Sequence, residues 1–200
     1  MITLGLTGGI GMGKSAVTSY LLSKNIPVWD ADKAAADLYE PNSGLWYLHG
    51  REFRELVACQ DKAEARARVE QDSTYLSVLS AAAAPFLLKQ ATTFITDMRR
   101  LNKPIVVLDV PLLFESDWDK QLKLDVTVTV SCNAPTQFER VLKRPGMTRT
   151  VLANVIANQM SDYERRERAT FIIDTGGEIE HTYKQAEAVV LLANNYRLHR

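Results

Sequence analysis

Gly8, Gly13, Lys14 and Ser15 stand at the spacing Gly, four residues, Gly-Lys-Ser, within the run Thr7-Gly8-Gly9-Ile10-Gly11-Met12-Gly13-Lys14-Ser15. That spacing suits one chemistry, the wrapping of a phosphate chain by main-chain N–H groups. Glycines at 8, 9, 11 and 13 keep Cβ atoms out of the turn and admit positive φ. The lysine reaches the outer phosphates, and the serine hydroxyl offers one magnesium position. Asp30 and Asp32 follow a second short strand expected at Ile26-Pro27-Val28-Trp29, so two carboxylates fall near the glycine turn. Late in the chain Arg140, Lys143, Arg144, Arg149, Arg165, Arg166 and Arg168 form a basic cluster. Its sharper reading is a mobile lid whose arginines close on ATP. Its blander reading is a set of exposed helices laced with charge, with Glu164 and Glu167 as partners.

Such groups need a scaffold, and the pattern supplies one. Ile2 to Leu6 reads as a buried strand, and the segment from Ala16 to Leu22 as a helix whose dipole faces the phosphates. Strands are expected at 105–110, 126–130 and 171–174, the first a nearly continuous apolar run suited to a sheet covered on both faces. Ligands in open α/β sheets bind beyond the carboxyl ends of strands, which brings Asp30, Asp32 and Asp109 toward the glycine turn. Asp109 reads either as a carboxylate of the magnesium network or as a loop cap. Residues 33–103 carry no convincing strand, only alanine-rich and charged helical stretches. In that region Pro85 is expected to open a new helix between Tyr75 and Arg100. The apolar series Val151, Leu152, Val155, Ile156, Met160 and Tyr163 reads as helix packing. A closing helix follows Thr175-Gly176-Gly177.

The 200 residues carry 24 Lys plus Arg against 24 Asp plus Glu, so there is no basic field for nucleic acid. Cys59 and Cys132 lack metal-ligand spacing and read as reduced thiols of a cytoplasmic protein. No charged leader precedes the glycine turn and no apolar run approaches membrane length, so neither secretion nor a membrane partner is expected. His49, His181 and His199 are scattered. A guanine-reading Asn-Lys-x-Asp loop is absent, since Asn102-Lys103-Pro104-Ile105 lacks the acid, and the Leu-Ser-Gly-Gly-Gln signature of transporter-type ATPases is absent too.

Taken in order, the glycine turn, Asp30-Ala31-Asp32, Glu40-Pro41, Pro111-Leu112-Leu113-Phe114-Glu115, Gln159-Met160 and Ile172-Ile173-Asp174 resemble the dephospho-CoA kinase family over nearly the whole chain. The resemblance implies an α/β P-loop kinase with a five-stranded parallel sheet flanked by helices. It divides the chain into a nucleotide core (1–32, 104–142 and 169–200), a helical acceptor domain (33–103) and a lid (143–168). It implies phosphate transfer from ATP to the ribose 3′-hydroxyl of dephospho-CoA, with magnesium as cofactor.

By the same resemblance Asp32 is the catalytic carboxylate and a substrate contact, with Thr7 a second contact to the acceptor or magnesium network. Lys14 and Arg140 act on the transferred group. Gly9, Gly11, Met12, Gly13, Lys14, Ser15, Ala16 and Arg144 hold ATP, and Ser15 holds the metal. Asp30 reads equally as a turn-shaping residue. The family often has His-Pro at Ala84-Pro85, Arg-Asp-Gly at Arg144-Pro145-Gly146, Ala-Asp at Ala169-Thr170 and Asp-Asn at Asp174-Thr175. Another small-molecule kinase of the same fold, or a catalytically silent nucleotide-binding module, is the competing reading.

Overall fold

A computed structural model describes residues 1–38, 53, 64, 68 and 75–196. His49, His199, Cys59 and the Glu40-Pro41 pair lie outside the described residues. The chain divides into two compact units, Met1–Trp29 with Ile95–Arg200, and Asp30–Phe94.

The first unit is built on a five-stranded parallel sheet in the order β2-β3-β1-β4-β5. The strands are β1 (Ile2–Gly8), β2 (Val28–Asp30), β3 (Ile105–Asp109), β4 (Val126–Ser131) and β5 (Phe171–Asp174). Every residue of β1, β3 and β4 is buried, as expected of central parallel strands covered on both faces. Leu4, Leu6, Val107, Val128 and Ile173 meet Val17 and Leu21 of α1 (Lys14–Ser23) and Ala186 and Val189 of the last helix, α8 (Ile179–Tyr196). Tyr20 stacks on Tyr183 at 4.4 Å and joins these two helices. On β1, Gly5 lies against Leu113 and Leu124, where a Cβ would stand 2.6 Å from Leu124.

Four shorter helices complete the layers. They are α4 (Trp118–Gln121), α5 (Ala134–Leu142), α6 (Arg149–Ala157) and α7 (Asp162–Arg168). Asn133, Thr148 and Ser161 cap α5, α6 and α7 by accepting a hydrogen bond from the third residue onward, and Glu164 closes a capping box on Ser161. The hydrogen bonds from Ser161 hold the Glu164 carboxyl below its ordinary range. The apolar series from 151 to 163 is therefore two helices broken at Asn158–Ser161. Leu152 is buried, whereas Val151, Ile156 and Tyr163 are exposed, so packing accounts for only part of that series.

In the second unit α2 (Ala31–Asp37) starts directly after β2, with Asp30 as its N-cap accepting from Lys33 N at 3.0 Å. The helix α3 (Tyr75–Arg100) runs without interruption through Pro85, contrary to the expectation of a new helix there. Pro85 is exposed, while Ala83, Phe86, Leu87 and Ala91 are buried. Packing of those apolar residues holds the helix together despite the missing N–H. Phe86 meets Phe53 edge-on at 6.2 Å. Within the Val78–Arg100 segment of α3 an 18-residue window reaches a mean hydropathy of 1.3, enough for a membrane span by length and composition alone, although no uninterrupted apolar run of that length occurs. Pro85, Lys89 and Asp97 interrupt it, and core helices meet the same criterion.

Candidate active site

The glycine turn bridges β1 and α1. Gly11 and Gly13 take φ of 75° and 85°, the left-handed region that L side chains avoid. Gly8 and Gly9 do not need that freedom. They are required by close approach instead: a Cβ on Gly8 would lie 2.3 Å from Val130 Cγ2, and one on Gly9 3.0 Å from Arg165 Nη1. The turn is closed by Met12 N donating to the Gly9 carbonyl at 3.1 Å and Ala16 N to Gly13 at 3.1 Å.

At the start of α1 the Lys14 ammonium pairs with Asp109 Oδ1, at the end of β3. The other oxygen, Oδ2, accepts from the Thr18 hydroxyl at 2.5 Å, one turn along α1. Asp109 is buried, so this pairing compensates a charge that would otherwise be costly to desolvate. Asp109 thus positions the lysine directly. Ser15 is exposed on the first turn, and its hydroxyl has no partner among the described residues. No cluster of three or more His, Cys, Asp or Glu suited to a metal occurs among the described residues.

Side chains from distant elements hold the turn from outside. Gln137 Nε2 on α5 donates to the Ile10 carbonyl at 2.8 Å, and Gln159 Oε1 accepts from Ile10 N at 3.1 Å. The Thr175 hydroxyl donates to the Met12 carbonyl at 2.7 Å. Arg140 in turn donates to Thr175, through Nη1 to Oγ1 at 3.2 Å and through Nη2 to the carbonyl at 2.6 Å. Arg140 is therefore linked through Thr175 to the turn that carries Lys14 and Ser15. Thr7 is a correction: its side chain is fully buried and its hydroxyl donates to the Pro111 carbonyl at 2.9 Å, so it has no surface to offer an acceptor and instead fixes the segment after β3.

The basic cluster divides. Arg165 is 2% exposed and pairs with Glu115 at 3.0 Å, and Arg168 reaches Asp117, Asp119 and the Phe114 ring. Arg144 and Arg149 are exposed, with no carboxylate partner among the described residues. Lys143 pairs with Glu139 along α5 at 2.7 Å and holds the Glu139 carboxyl below its ordinary range. Asp32 lies in the first turn of α2, in the Asp30–Phe94 unit.

Beside Met12 a cavity of about 600 Å³ is lined by Cys132, Gln137, Arg166, Ile172 and Asp174 among others. Burial pushes the Cys132 thiol up, and its main-chain N donates to Met12 Sδ at 3.2 Å. Gln137 and Thr18 have no signal in the sequence pattern, and Arg165 and Glu115 stand in the basic cluster and in a motif above without any sign that they pair. Gln159 stands in one of the motifs above and Thr175 among the departures, without a role for either.

A parallel sheet, a phosphate turn with its lysine held by a buried acid, and an exposed serine on the following turn define a P-loop kinase of the small-molecule class. The dephospho-CoA kinase family model matches residues 2–181. A dephospho-CoA kinase of Mesorhizobium japonicum is 37% identical over 190 residues, which is 95% of each chain. A Thermus thermophilus protein of known crystal structure superposes with a TM-score of 0.74 at 32% identity, over 96% of each chain. The dephospho-CoA kinase of Campylobacter jejuni shares the fold, with a TM-score of 0.66 at 17% identity over 96% of this chain and 97% of its own. The chain belongs to the dephospho-CoA kinase family.

Proposed function

We infer that the chain transfers the γ-phosphoryl group of ATP to the ribose 3′-hydroxyl of dephospho-CoA, giving CoA and ADP, in the cytoplasm. The observation that carries this reading is the intact phosphate turn, with Lys14 anchored by Asp109, in a chain matching the family along 95% of its length. The turn's N–H groups and the N-terminus of α1 bind the phosphates. Lys14 and Arg140 neutralise charge that develops on the moving group. The cavity beside Met12 takes the adenosine end, with Ile172 and Met12 as its apolar walls.

The residues fit a magnesium ion. Magnesium keeps several waters and is bound through one or two protein groups plus substrate phosphates rather than by an all-protein cage, and the exposed Ser15 hydroxyl is such a group. Bound there, the ion would neutralise β- and γ-phosphate charge. Asp32 accepts the proton of the 3′-hydroxyl as its oxygen bonds to phosphorus, and the electron pair of the broken bond leaves with ADP. The Asp30–Phe94 unit supplies the acceptor site, and the segment 143–157, with Arg144, is the part of the basic region free to close over ATP.

Asp32→Asn is expected to keep the fold and ATP affinity while losing phosphoryl transfer. Lys14→Ala should lower both phosphate affinity and rate. Steady-state kinetics with calorimetric ATP titration test the pair. Turnover of the Asp32→Asn enzyme at the wild-type rate removes Asp32 from its role, and an unchanged rate without Lys14 contradicts the phosphate-site assignment.

A further inference from the structure

Arg165 is the largest fully buried side chain among the described residues, an unusual place for a guanidinium. Its Nη2 donates to Glu115 Oε1 at 3.0 Å, and the same oxygen accepts from Met160 N at 3.0 Å. Arg165 Nε and Glu115 Oε2 are buried without partners. Leaving buried polar atoms unpaired costs about 1–3 kcal/mol each, and a buried ion pair is often no more stabilising than apolar residues of the same volume. Stability therefore gives a poor account of the arrangement.

Position gives a better one. Arg165 Nη1 is the nearest atom to the point where a Gly9 Cβ would stand, at 3.0 Å, and it has no acceptor among the described residues. Gln159, which holds Ile10 N, lies 3.5 Å from the same point. Arg140 already commits both of its amino groups to Thr175, and Arg144 is exposed. At the phosphate turn, Arg165 is the arginine that is fixed in place by a carboxylate and still has a donor to give.

We propose that Arg165 is a catalytic residue, its Nη1 donating past Gly9 to a non-bridging oxygen of the phosphoryl group in transfer while Glu115 fixes the guanidinium plane. This rests on the kinase reading above. The bond between the γ-phosphorus and the β,γ-bridging oxygen breaks, its electron pair leaving with ADP, and the acceptor oxygen bonds to phosphorus. The acceptor's proton goes to a carboxylate. Arg165 exchanges no proton, and a preorganised guanidinium stabilises the charge without reorganising.

The test compares Arg165→Met and Arg165→Lys with the wild type in three arms: kcat with dephospho-CoA, basal hydrolysis of ATP by water, and ADP affinity by calorimetry. Arg165→Met is expected to lower both rates by about 10³-fold, the lower end for an arginine of this kind. ADP affinity should change by less than about threefold, because ADP lacks the transferred group. Arg165→Lys, which keeps the charge without the fork, should stay at least about tenfold down. A folded Arg165→Met enzyme within about tenfold of the wild-type rate, or an ADP affinity that falls in step with the rate, overturns the proposal in favour of mere support of the turn. If Arg165→Met does not fold, Arg165→Lys and Gly9→Ala, which crowds Nη1, are read in the same arms. A wild type inert to dephospho-CoA sinks the acceptor assignment alone, because the hydrolysis and ADP arms need no acceptor.

Discussion

Replacing Thr175 by valine removes a hydroxyl that links the phosphate turn to Arg140. The hydroxyl donates to the Met12 carbonyl at 2.7 Å in a buried setting, and it accepts from Arg140 Nη1 at 3.2 Å. Valine fills nearly the same volume, so no cavity opens and the loss is polar. One neutral hydrogen bond contributes about 0.5–1.5 kcal/mol, and a buried acceptor left without its donor costs about 1–3 kcal/mol. These overlap, since both describe the Met12 carbonyl, which puts the expected destabilisation at about 1–3 kcal/mol. Arg140 keeps its bond to the Thr175 carbonyl at 2.6 Å, so it should stay in place. With a urea m-value of about 2 kcal/mol per molar, the unfolding midpoint should fall by roughly 0.5–1.5 M. Thr175→Ser, which restores the hydroxyl, should recover most of that, and ADP affinity should fall only in the valine protein. A midpoint shift below about 0.2 M, or equal loss in the serine protein, would show that the Thr175 hydroxyl does not hold the phosphate turn.

Two further outcomes follow from the same geometry. Pro85→Ala restores an N–H to the exposed face of α3, and since an interior proline costs about 3 kcal/mol, thermal unfolding should move upward by an amount equivalent to roughly 1–3 kcal/mol; a lower melting temperature would contradict the description of α3. Cys132 has its thiol raised by burial, so it stays neutral through pH 7–8 and becomes thiolate only above the ordinary thiol range. Peptide mapping after iodoacetamide treatment should show slow labelling of Cys132 that climbs with pH above that range, and rapid labelling at neutral pH would contradict its burial.

The strands were legible because a parallel sheet covered on both faces writes itself as apolar runs. Ile105–Asp109 and Phe171–Asp174 fall where the runs predict, and β2 starts two residues later than Ile26 because Ile26 still belongs to the turn that ends α1. The phosphate turn was legible as spacing, although the reason for glycine differs by position: conformation at Gly11 and Gly13, close packing at Gly8 and Gly9. Pro85 misled because local propensity was overridden by the packing of Phe86 and Leu87. The series from Val151 to Tyr163 misled because helical spacing does not reveal a cap at Ser161. Contacts across 35 to 163 positions, such as Arg140 with Thr175, Glu115 with Arg165 and Thr175 with Met12, have no local signature, and only the folded chain brings them together.

Product formation separates phosphorylation of dephospho-CoA from every competing reaction. ADP release from ATP and magnesium is followed with dephospho-CoA as acceptor, beside adenosine, AMP and shikimate, and the new phosphate is located by NMR. CoA, phosphorylated on the ribose 3′-oxygen, is expected from dephospho-CoA alone. ATP binding with dephospho-CoA inert, or faster turnover of any other acceptor, would contradict that expectation.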